Sequence, residues 1–233
     1  MSRGRIVIFG ASRGLGAAFA RSVPDHGEAV WCISRTRPSV LDLNDGVIRH
    51  WVPTDLSRPE GAASSISGLG DDPIDLLIYN AGIWETNGYE NADDDELAAI
   101  VTTNLTSALI ACRRSLPLLR QSGRARIVLI GSTCGLENEG TASVAYAATK
   151  FGLRGLAHGL REVLRPDGIP VTVISPGSMA TDRLVDGAAV PCPDVPVRIP
   201  VSDLVDTVRL LRRLSRAACV KEIHFPALMD EDV

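Results

Sequence analysis

The sequence lacks long apolar segments and paired cysteines. Its first apolar run spans only residues 6–9, whereas a signal-peptide core needs ~7–15 apolar residues. No run in the sequence approaches the ~18 consecutive apolar residues that a membrane-spanning helix requires. The five cysteines are far apart and include no Cys-x-x-Cys pair, so neither a disulfide framework nor a zinc site is expected. These absences predict a reduced, cytoplasmic protein with no membrane partner.

The chain also lacks a strong excess of charge of either sign. Its 24 basic and 28 acidic side chains give a formal net charge of −4. A nucleic-acid partner is therefore not expected, because surfaces that bind nucleic acids are usually strongly basic. The 233 residues are 45% hydrophobic and 22% charged, which is typical of a globular domain. We find no internal repeat and no linker, so residues 1–233 are predicted to form a single domain.

Short apolar runs alternate with longer helix-like stretches along the chain. The runs are rich in Val, Ile and Leu without polar alternation, which is typical of strands covered on both faces. This pattern predicts an α/β fold, with a single doubly wound parallel sheet of about seven strands and helices on both faces. The predicted strands span residues 5–9, 29–33, 47–52, 74–79, 126–130, 171–174 and 222–225. The predicted helices span residues 15–23, 59–66, 93–119, 144–164 and 202–215.

A proline-rich stretch interrupts this alternation towards the C-terminus. Residues 190–200 contain four prolines, and proline continues neither a helix nor a strand ladder. We therefore expect an irregular loop there. In a doubly wound fold such a loop borders the carboxyl edge of the sheet, where ligands bind.

The first predicted strand runs directly into a glycine-rich turn. Gly10, Gly14 and Gly16 are spaced as G-x-x-x-G-x-G before a predicted helix. Glycines at this place either serve a tight turn alone or let backbone N–H groups approach a pyrophosphate. The same segment fits the G-x-S-x-G nucleophile elbow of serine hydrolases, with Ser12 as the nucleophile. Against a hydrolase, Ser12 follows the first strand of the chain, and Arg13 beside it suits phosphate binding better.

The end of the second predicted strand bears on the choice of dinucleotide. An NAD site usually places Asp or Glu ~20 residues after the glycines, on the ribose 2′-hydroxyl. Here Ser34 and Arg35 occupy that place, Arg37 follows, and no carboxylate is near. Arginine holds a 2′-phosphate through bidentate, charge-assisted hydrogen bonds, and Arg13 can reach the same phosphate from the glycine loop. These residues favour NADP(H) as the cofactor.

Tyr146 and Lys150 stand four residues apart at the start of a predicted helix, so they share one helix face. A neighbouring ammonium favours the phenolate form of tyrosine, which allows Tyr146 to act as an acid and a base near neutral pH. Ser132 ends the fifth predicted strand and offers a hydroxyl to a substrate oxygen. Asn104 is a polar amide within an otherwise apolar helical stretch. We expect these four side chains to form the catalytic group.

Five motifs follow one another along the chain. They are the three glycines of the first turn, Asp55, Asn80-Ala81-Gly82, Ser132 with Tyr146-x-x-x-Lys150, and Pro176-Gly177-x-x-x-Thr181. With these motifs, residues 5–181 resemble the short-chain dehydrogenase/reductase family, in its NADP-preferring branch. The sequence departs from the family pattern at Phe9, where the family usually has Thr, and at residues 222–226 near the C-terminus.

The resemblance implies a role for each matching residue. Tyr146 would be the general acid and base, Lys150 would lower its pKa and bind the nicotinamide ribose, and Ser132 would hold the substrate oxygen. Asn104 would bind a water molecule of a proton relay, and Asp55 would meet the adenine amino group. The implied cofactor-binding residues are Gly10, Ser12, Arg13, Gly14, Leu15, Gly16, Ser34, Arg35, Asp55, Leu56, Asn80, Ala81, Gly82, Tyr146, Lys150, Pro176, Gly177, Met179 and Thr181.

The resemblance further implies a Rossmann-like fold and an NADPH-dependent oxidoreductase. Such an enzyme would reduce a ketone or aldehyde to an alcohol, or catalyse the reverse reaction, on a small-molecule substrate. Residues 182–200 would form its substrate lid. The alternatives are a non-catalytic NADP(H)-binding sensor of the same fold and an epimerase or dehydratase of the same family.

Two groups of apolar residues leave alternatives open. Trp84 and Tyr89 follow the Asn80-Ala81-Gly82 motif, and they either pack within their loop or face the substrate. The helix around Tyr146 carries apolar residues that pack either on their own sheet or on a second subunit of a homodimer or homotetramer. These residues are Ala147, Ala148, Phe151 and Leu153.

Overall fold

The computed structural model describes residues 4–137, 141–181, 183–185, 188–190 and 198–229. Its strands are β1 (Arg5–Phe9), β2 (Ala29–Ser34), β3 (Ile48–Pro53), β4 (Leu76–Tyr79), β5 (Arg126–Ile130), β6 (Val171–Pro176), β7 (Met179–Ala180), β8 (Arg183–Val185), β9 (Ala188–Val190), β10 (Ile199–Pro200) and β11 (Glu222–Phe225). Seven of them form one parallel sheet in the order β11-β6-β5-β4-β1-β2-β3. The predicted doubly wound, Rossmann-like sheet is thus confirmed.

Helices cover both faces of this sheet. Val7 and Phe9 of β1 pack in one apolar cluster, and Ile6 and Ile8 pack in a second one together with Leu15. Because successive strand residues point to opposite faces, an uninterrupted apolar strand supplies both cores. The helices α2 (Pro59–Ser67), α4 (Ser107–Gln121) and α5 (Val144–Leu164) contribute to the first cluster, and α1 (Gly14–Ser22) and α6 (Val201–Arg213) to the second.

The helix predicted over residues 93–119 is divided. An α-helix, α3 (Asp94–Val101), is capped by Asp93, whose Oδ1 accepts the N–H of Glu96 at 2.8 Å. A π-helical turn, Thr102–Thr106, then separates α3 from α4. Single π-turns inside helices often occur at functional sites, and this turn contains the fully buried Asn104. The predicted helical stretch is thus present, but the apolar period of the sequence did not reveal the π-turn within it.

The segment predicted as an irregular loop and lid contains short strands. β8 and β9 pair in antiparallel fashion, and β10 pairs in parallel with β7. Pro200 lies at the end of β10 and directly before α6, a boundary position that proline tolerates. Residues 182, 186–187 and 191–197, which belong to the predicted lid, lie outside the described residues. The expectation of an irregular loop was thus wrong at both ends of residues 190–200.

The strand order reverses at β1, which has β2 on one side and β4 on the other. At such a reversal, a crevice opens at the carboxyl ends of the strands. Gly10, Asn80 and Ser132 follow β1, β4 and β5 in sequence, so they lie at this edge of the sheet. Among the described residues, we find no helix with the length and apolar character needed to cross a bilayer.

Candidate active site

The glycine loop joins β1 to α1 at the crevice. Gly10 has a φ of 79°, and a Cβ placed on it would lie 2.6 Å from the Cα of Ala81. A Cβ on Gly16 would overlap the carbonyl oxygen of Gly10. The side chain of Asn80 donates from Nδ2 to that same oxygen at 2.9 Å. Both glycines are therefore required sterically, and the first turn of α1 is held against the loop after β4.

The segment after β6 approaches the glycine loop. Gly14 has a φ of 52°, and a Cβ on it would lie 3.6 Å from the Cβ and Cγ2 atoms of Thr181. Thr181 donates its own N–H to the carbonyl oxygen of Met179 at 3.0 Å. Pro176 ends β6, and Gly177 donates its N–H to the last residue of β11 at 2.8 Å. The first and last motifs of the sequence thus come together.

Two arginines at this edge keep their donors available. Arg13 and Arg35 are exposed, and neither side chain forms a hydrogen bond or ion pair within the described part of the chain. Arg37 differs, because its guanidinium donates to both carboxylate oxygens of Asp42, at 2.9 and 2.7 Å. Ser34, the last residue of β2, donates its hydroxyl to a backbone carbonyl at 2.8 Å. With no carboxylate ending β2 and two unused guanidinium groups near the glycine loop, these residues fit NADP(H).

Asp55 and Leu56 follow β3 at the same edge of the sheet. The Oδ1 atom of Asp55 accepts from the N–H and the hydroxyl of Ser57, at 3.0 and 2.8 Å. These bonds, assisted by the charge of Arg35, hold the pKa of Asp55 below its usual range. The carbonyl oxygen of the buried Leu56 accepts from the hydroxyl of Ser107 at 2.8 Å. Asp55 is therefore ionised at neutral pH, and its contact with adenine stays a prediction.

Lys150 is a buried member of the catalytic group. Its side chain is 3% exposed, and Nζ donates to the carbonyl oxygen of Ile130 at 2.9 Å. Nζ lies 5.2 Å from the centre of the Tyr146 ring, and a Cβ on Gly82 would lie 3.4 Å from it. Burial lowers the pKa of Lys150 to about 8, because an ammonium removed from water is disfavoured. The site thus holds a lysine that exchanges its proton near neutral pH.

Tyr146 is the third residue of α5 and is half-buried. Desolvation raises the pKa of its phenol, a hydrogen bond with Ser132 opposes that rise, and the thiol of Cys134 adds to it. The net direction is upward, so the phenol is protonated at neutral pH. A protonated phenol suits donation to a substrate oxygen. The lowering of this pKa by Lys150 stays a prediction.

The side chain of Asn104 forms hydrogen bonds with the loop after β4. Its Nδ2 donates to the carbonyl oxygen of Ile83 at 2.8 Å and to the hydroxyl of Thr149 at 3.0 Å. Its Oδ1 accepts the N–H of Ile83 at 2.9 Å and would lie 3.8 Å from a Cβ on Gly82. Because Lys150 borders the same glycine, the structure brings Asn104 and Lys150 together. The water of the relay stays a prediction.

The loop after β4 carries two further side chains of the site. Trp84 is 62% exposed and meets the ring of Tyr146 edge-on, with the ring centres 6.3 Å apart. Trp84 therefore lies beside Tyr146, and its contact with a substrate stays a prediction. Glu85 is buried, and its Oε1 accepts the N–H of Ala145 at 2.6 Å. Glu85 was not predicted from the sequence, because a glutamate in a loop belongs to no motif. The only sequence signal for it is its position shortly after Asn80-Ala81-Gly82.

The structure gives Ser12 no partner for hydrolysis. Ser12 forms no hydrogen bond with a histidine or a carboxylate within the described residues. The ring nitrogens of His158 and His224 contact Glu222, at 3.1 and 3.3 Å, at the β11 edge of the sheet. His50 stacks on an indole of β2. A serine nucleophile needs a positioned base, so the hydrolase alternative has no structural support.

A cavity of about 310 Å³ lies at the opposite edge, at the amino ends of the strands. Two of its arginines donate to carbonyl oxygens at helix C-termini. Arg126 donates to Leu214 at the end of α6, and Arg212 donates to Val23 at the end of α1. Cations at helix C-termini complement the helix dipole, so we assign this cavity a structural role. It is lined by Asp25, Asp75, Arg124, Arg126, Arg209, Arg212 and Arg213.

Comparisons with known proteins agree with this geometry. The family model described as short chain dehydrogenase matches residues 5–188. Ketoacyl reductase HetN of Nostoc sp. is 31% identical over 189 residues, which cover 78% of this chain and 66% of that protein. The 3-oxoacyl-acyl-carrier-protein reductase FabG of Salmonella typhimurium is 30% identical over 181 residues, covering 76% of this chain and 73% of that protein. A metagenomic short-chain oxidoreductase solved in complex with NADP superposes with a TM-score of 0.78 at 27% identity, over 97% of both chains. The chain therefore belongs to the short-chain dehydrogenase/reductase family of oxidoreductases.

Proposed function

We propose that this chain reduces a ketone or aldehyde to an alcohol with NADPH, or catalyses the reverse reaction. The observation that carries this proposal is the convergence of Ser132, Tyr146 and Lys150 at the carboxyl edge of the sheet. A hydroxyl, a protonated phenol and a buried lysine at one place suit proton transfer to a developing alkoxide. The two reductase relatives support the reductive direction.

The proposed mechanism assigns one task to each side chain. When bound, the nicotinamide would supply the hydride that the carbonyl carbon accepts. Ser132 donates a hydrogen bond to the substrate oxygen and orients it towards the phenol. Tyr146 donates its proton to that oxygen, because burial keeps the phenol protonated. Lys150, with its pKa lowered to about 8, returns a proton to the phenolate.

The proposed preference for NADPH rests on Arg13 and Arg35. Their guanidinium groups are exposed and form no hydrogen bond or ion pair in the described part of the chain, although the charge of Arg35 acts on Asp55. A planar guanidinium matches the oxygens of a phosphate in bidentate geometry. The 2′-phosphate that distinguishes NADPH from NADH is therefore the group they are suited to hold.

We also propose that α4 and α5 pair with a second copy of the chain. Leu153 is fully buried in its own subunit, but Val144, Phe151 and Leu109 are 46%, 42% and 46% exposed. Removing such side chains from water favours association. The variant Phe151→Glu is expected to convert the oligomer to monomers in light scattering after size exclusion. A wild-type protein that elutes as a monomer would contradict this assembly.

The test of the proposed function is a panel of ketones and aldehydes, with loss of NADPH absorbance and identification of the alcohol as readouts. We expect turnover of at least one carbonyl compound, with one alcohol formed for each NADPH consumed. Tight binding of NADPH without turnover of any panel member would instead favour the non-catalytic sensor. Conversion of substrate without net consumption of NADPH would favour the epimerase or dehydratase.

A further inference from the structure

Glu85 joins the loop after β4 to the helix that carries Tyr146. Its side chain is 4% exposed, and Oε1 accepts the N–H of Ala145 at 2.6 Å. Ala145 directly precedes Tyr146 in the first turn of α5. The N-cap residue of this helix, Ser143, makes no capping bond with its own side chain. Glu85 therefore supplies, from a distant loop, the acceptor that the start of a helix needs.

Two contacts reach α5 on either side of Tyr146 in sequence, one made by Glu85 of the loop after β4 and one made by Asn104 of the π-turn, which itself binds that loop. Glu85 binds Ala145, one residue before the tyrosine. Asn104, which binds the N–H and the carbonyl oxygen of Ile83, also binds the hydroxyl of Thr149, three residues after it. Thr149 in turn donates to the carbonyl oxygen of Tyr146 at 2.7 Å. The loop is thus attached to α5 at both ends of the turn that presents the phenol.

Stability alone does not account for an acidic residue at this position. The second oxygen of Glu85, Oε2, is buried and has no hydrogen-bond partner in the part of the chain that the structure describes. Burying an unpaired carboxylate oxygen costs free energy, and such a group in a folded protein calls for an explanation. In the described part of the chain, the bond that offsets this cost is the one that Oε1 accepts from the N–H of Ala145 in the first turn of α5. This combination indicates a role in holding the catalytic turn.

We infer that Glu85 is a positioning residue, which sets the place of Tyr146 in the active site through its bond to Ala145. This inference rests on the proposed reduction of a carbonyl compound. A displacement of ~1 Å at a reacting group can lower the rate by about 100-fold. Glu85 touches neither substrate nor cofactor in this account, so its loss lowers kcat without weakening NADPH.

The experiment compares Glu85→Ala, Glu85→Asp and Glu85→Gln with the wild type, on the panel compound that the wild type reduces fastest. Ala removes the bond, and Asp keeps the charge but is one methylene too short to make it. Gln keeps an acceptor oxygen of the same reach without the charge. The matched control is Glu96→Ala, because the half-buried Glu96 accepts the N–H of Thr86, the residue after Glu85, at 2.8 Å and forms no hydrogen bond with α5 among the described residues.

We expect kcat to fall by about 10- to 100-fold in the Ala and Asp variants and to remain near the wild-type value in the Gln variant and in Glu96→Ala. The Kd of NADPH stays unchanged, and the alkaline limb of the pH profile stays at the same pH with a lower plateau.

Unchanged kcat in a folded Ala or Asp variant would overturn the inference. An alkaline limb at a different pH, with the maximal kcat of the wild type, would also overturn the inference, since Glu85 would then act on the pKa of the catalytic group through its charge. A parallel loss of NADPH binding and thermal stability would show a merely structural role. If the wild type reduces no compound at all, the proposed function fails first and the inference fails with it.

Discussion

Replacing Arg13 and Arg35 together by alanine is expected to weaken NADPH and to leave NADH nearly unchanged. Both side chains are exposed and form no hydrogen bond or ion pair in the described part of the chain, so the fold loses no contact. A hydrogen bond to a charged group contributes ~1.5–3 kcal/mol, and exposure places these bonds at the lower end. Two bonds then contribute about 3 kcal/mol, which corresponds to roughly 100-fold weaker NADPH binding.

The assay is the quenching of tryptophan fluorescence during titration with each cofactor. Trp51 reports on this edge, because its Nε1 donates to the carbonyl oxygen of Ser34 at 3.1 Å. The control Arg37→Ala removes the same charge from the same loop, but that guanidinium is held by Asp42. It is expected to change NADPH binding by less than about threefold, as exposed ion pairs do. Equal weakening of NADPH and NADH in the double variant would refute the phosphate-site reasoning.

Three further outcomes follow from the same contacts. Ser132→Ala is expected to lower kcat by about 10²–10³-fold. The hydrogen bond with Ser132 lowers the pKa of Tyr146, so its loss should shift the rise of alcohol oxidation in pH–rate profiles to a higher pH. Glu28→Ala removes the ion pair with Arg212, whose Nη2 lies 2.7 Å from both Glu28 oxygens. It should lower the free energy of unfolding in urea by about 2 kcal/mol, because Arg212 keeps its bond to the carbonyl oxygen of Val23. Burial lowers the pKa of Lys150 from its ordinary value of 10.5 to about 8 in the folded protein, so the unfolded chain binds more protons between these values. The free energy of unfolding should therefore rise with pH across that range, and Lys150→Met should abolish the rise.

The main sheet was predictable because its signal is local. The central strands of the sheet are apolar runs such as Arg5–Phe9, whose residues are nearly all inaccessible to solvent. The edge strands β3 and β11 include polar, partly exposed residues and gave a weaker signal. The short strands β7 and β10 were not predictable, because their pairing joins distant residues such as Met179 and Ile199. The neighbouring strands β8 and β9 have only three residues each, too few for a periodic signal. The π-turn at Thr102–Thr106 also escaped prediction. Its one extra residue leaves the apolar period of the helix almost unchanged, and the only local sign was the polar Asn104.

The proximity of Tyr146 and Lys150 was predictable from spacing, but the contacts that support these residues were not. Tyr146 and Lys150 lie one helical turn apart, so their proximity follows from the helix itself. The bond from Glu85 to Ala145 spans 60 residues of sequence and depends on how the loop after β4 meets α5. The arginines needed the structure as well. From its place in the sequence, Arg37 was one of the cations expected near the cofactor. The structure shows that its guanidinium instead donates to both carboxylate oxygens of Asp42.

The central claim is that Tyr146 delivers the proton to the reduced carbonyl oxygen. Its most direct test is kcat and NADPH affinity measured in parallel for the wild type and Tyr146→Phe. The phenylalanine keeps a ring beside Trp84 and removes only the hydroxyl. We predict that kcat falls by about 10²–10⁴-fold, the usual contribution of general acid catalysis, while the Kd of NADPH stays the same. A variant that retains a kcat close to that of the wild type would contradict the account.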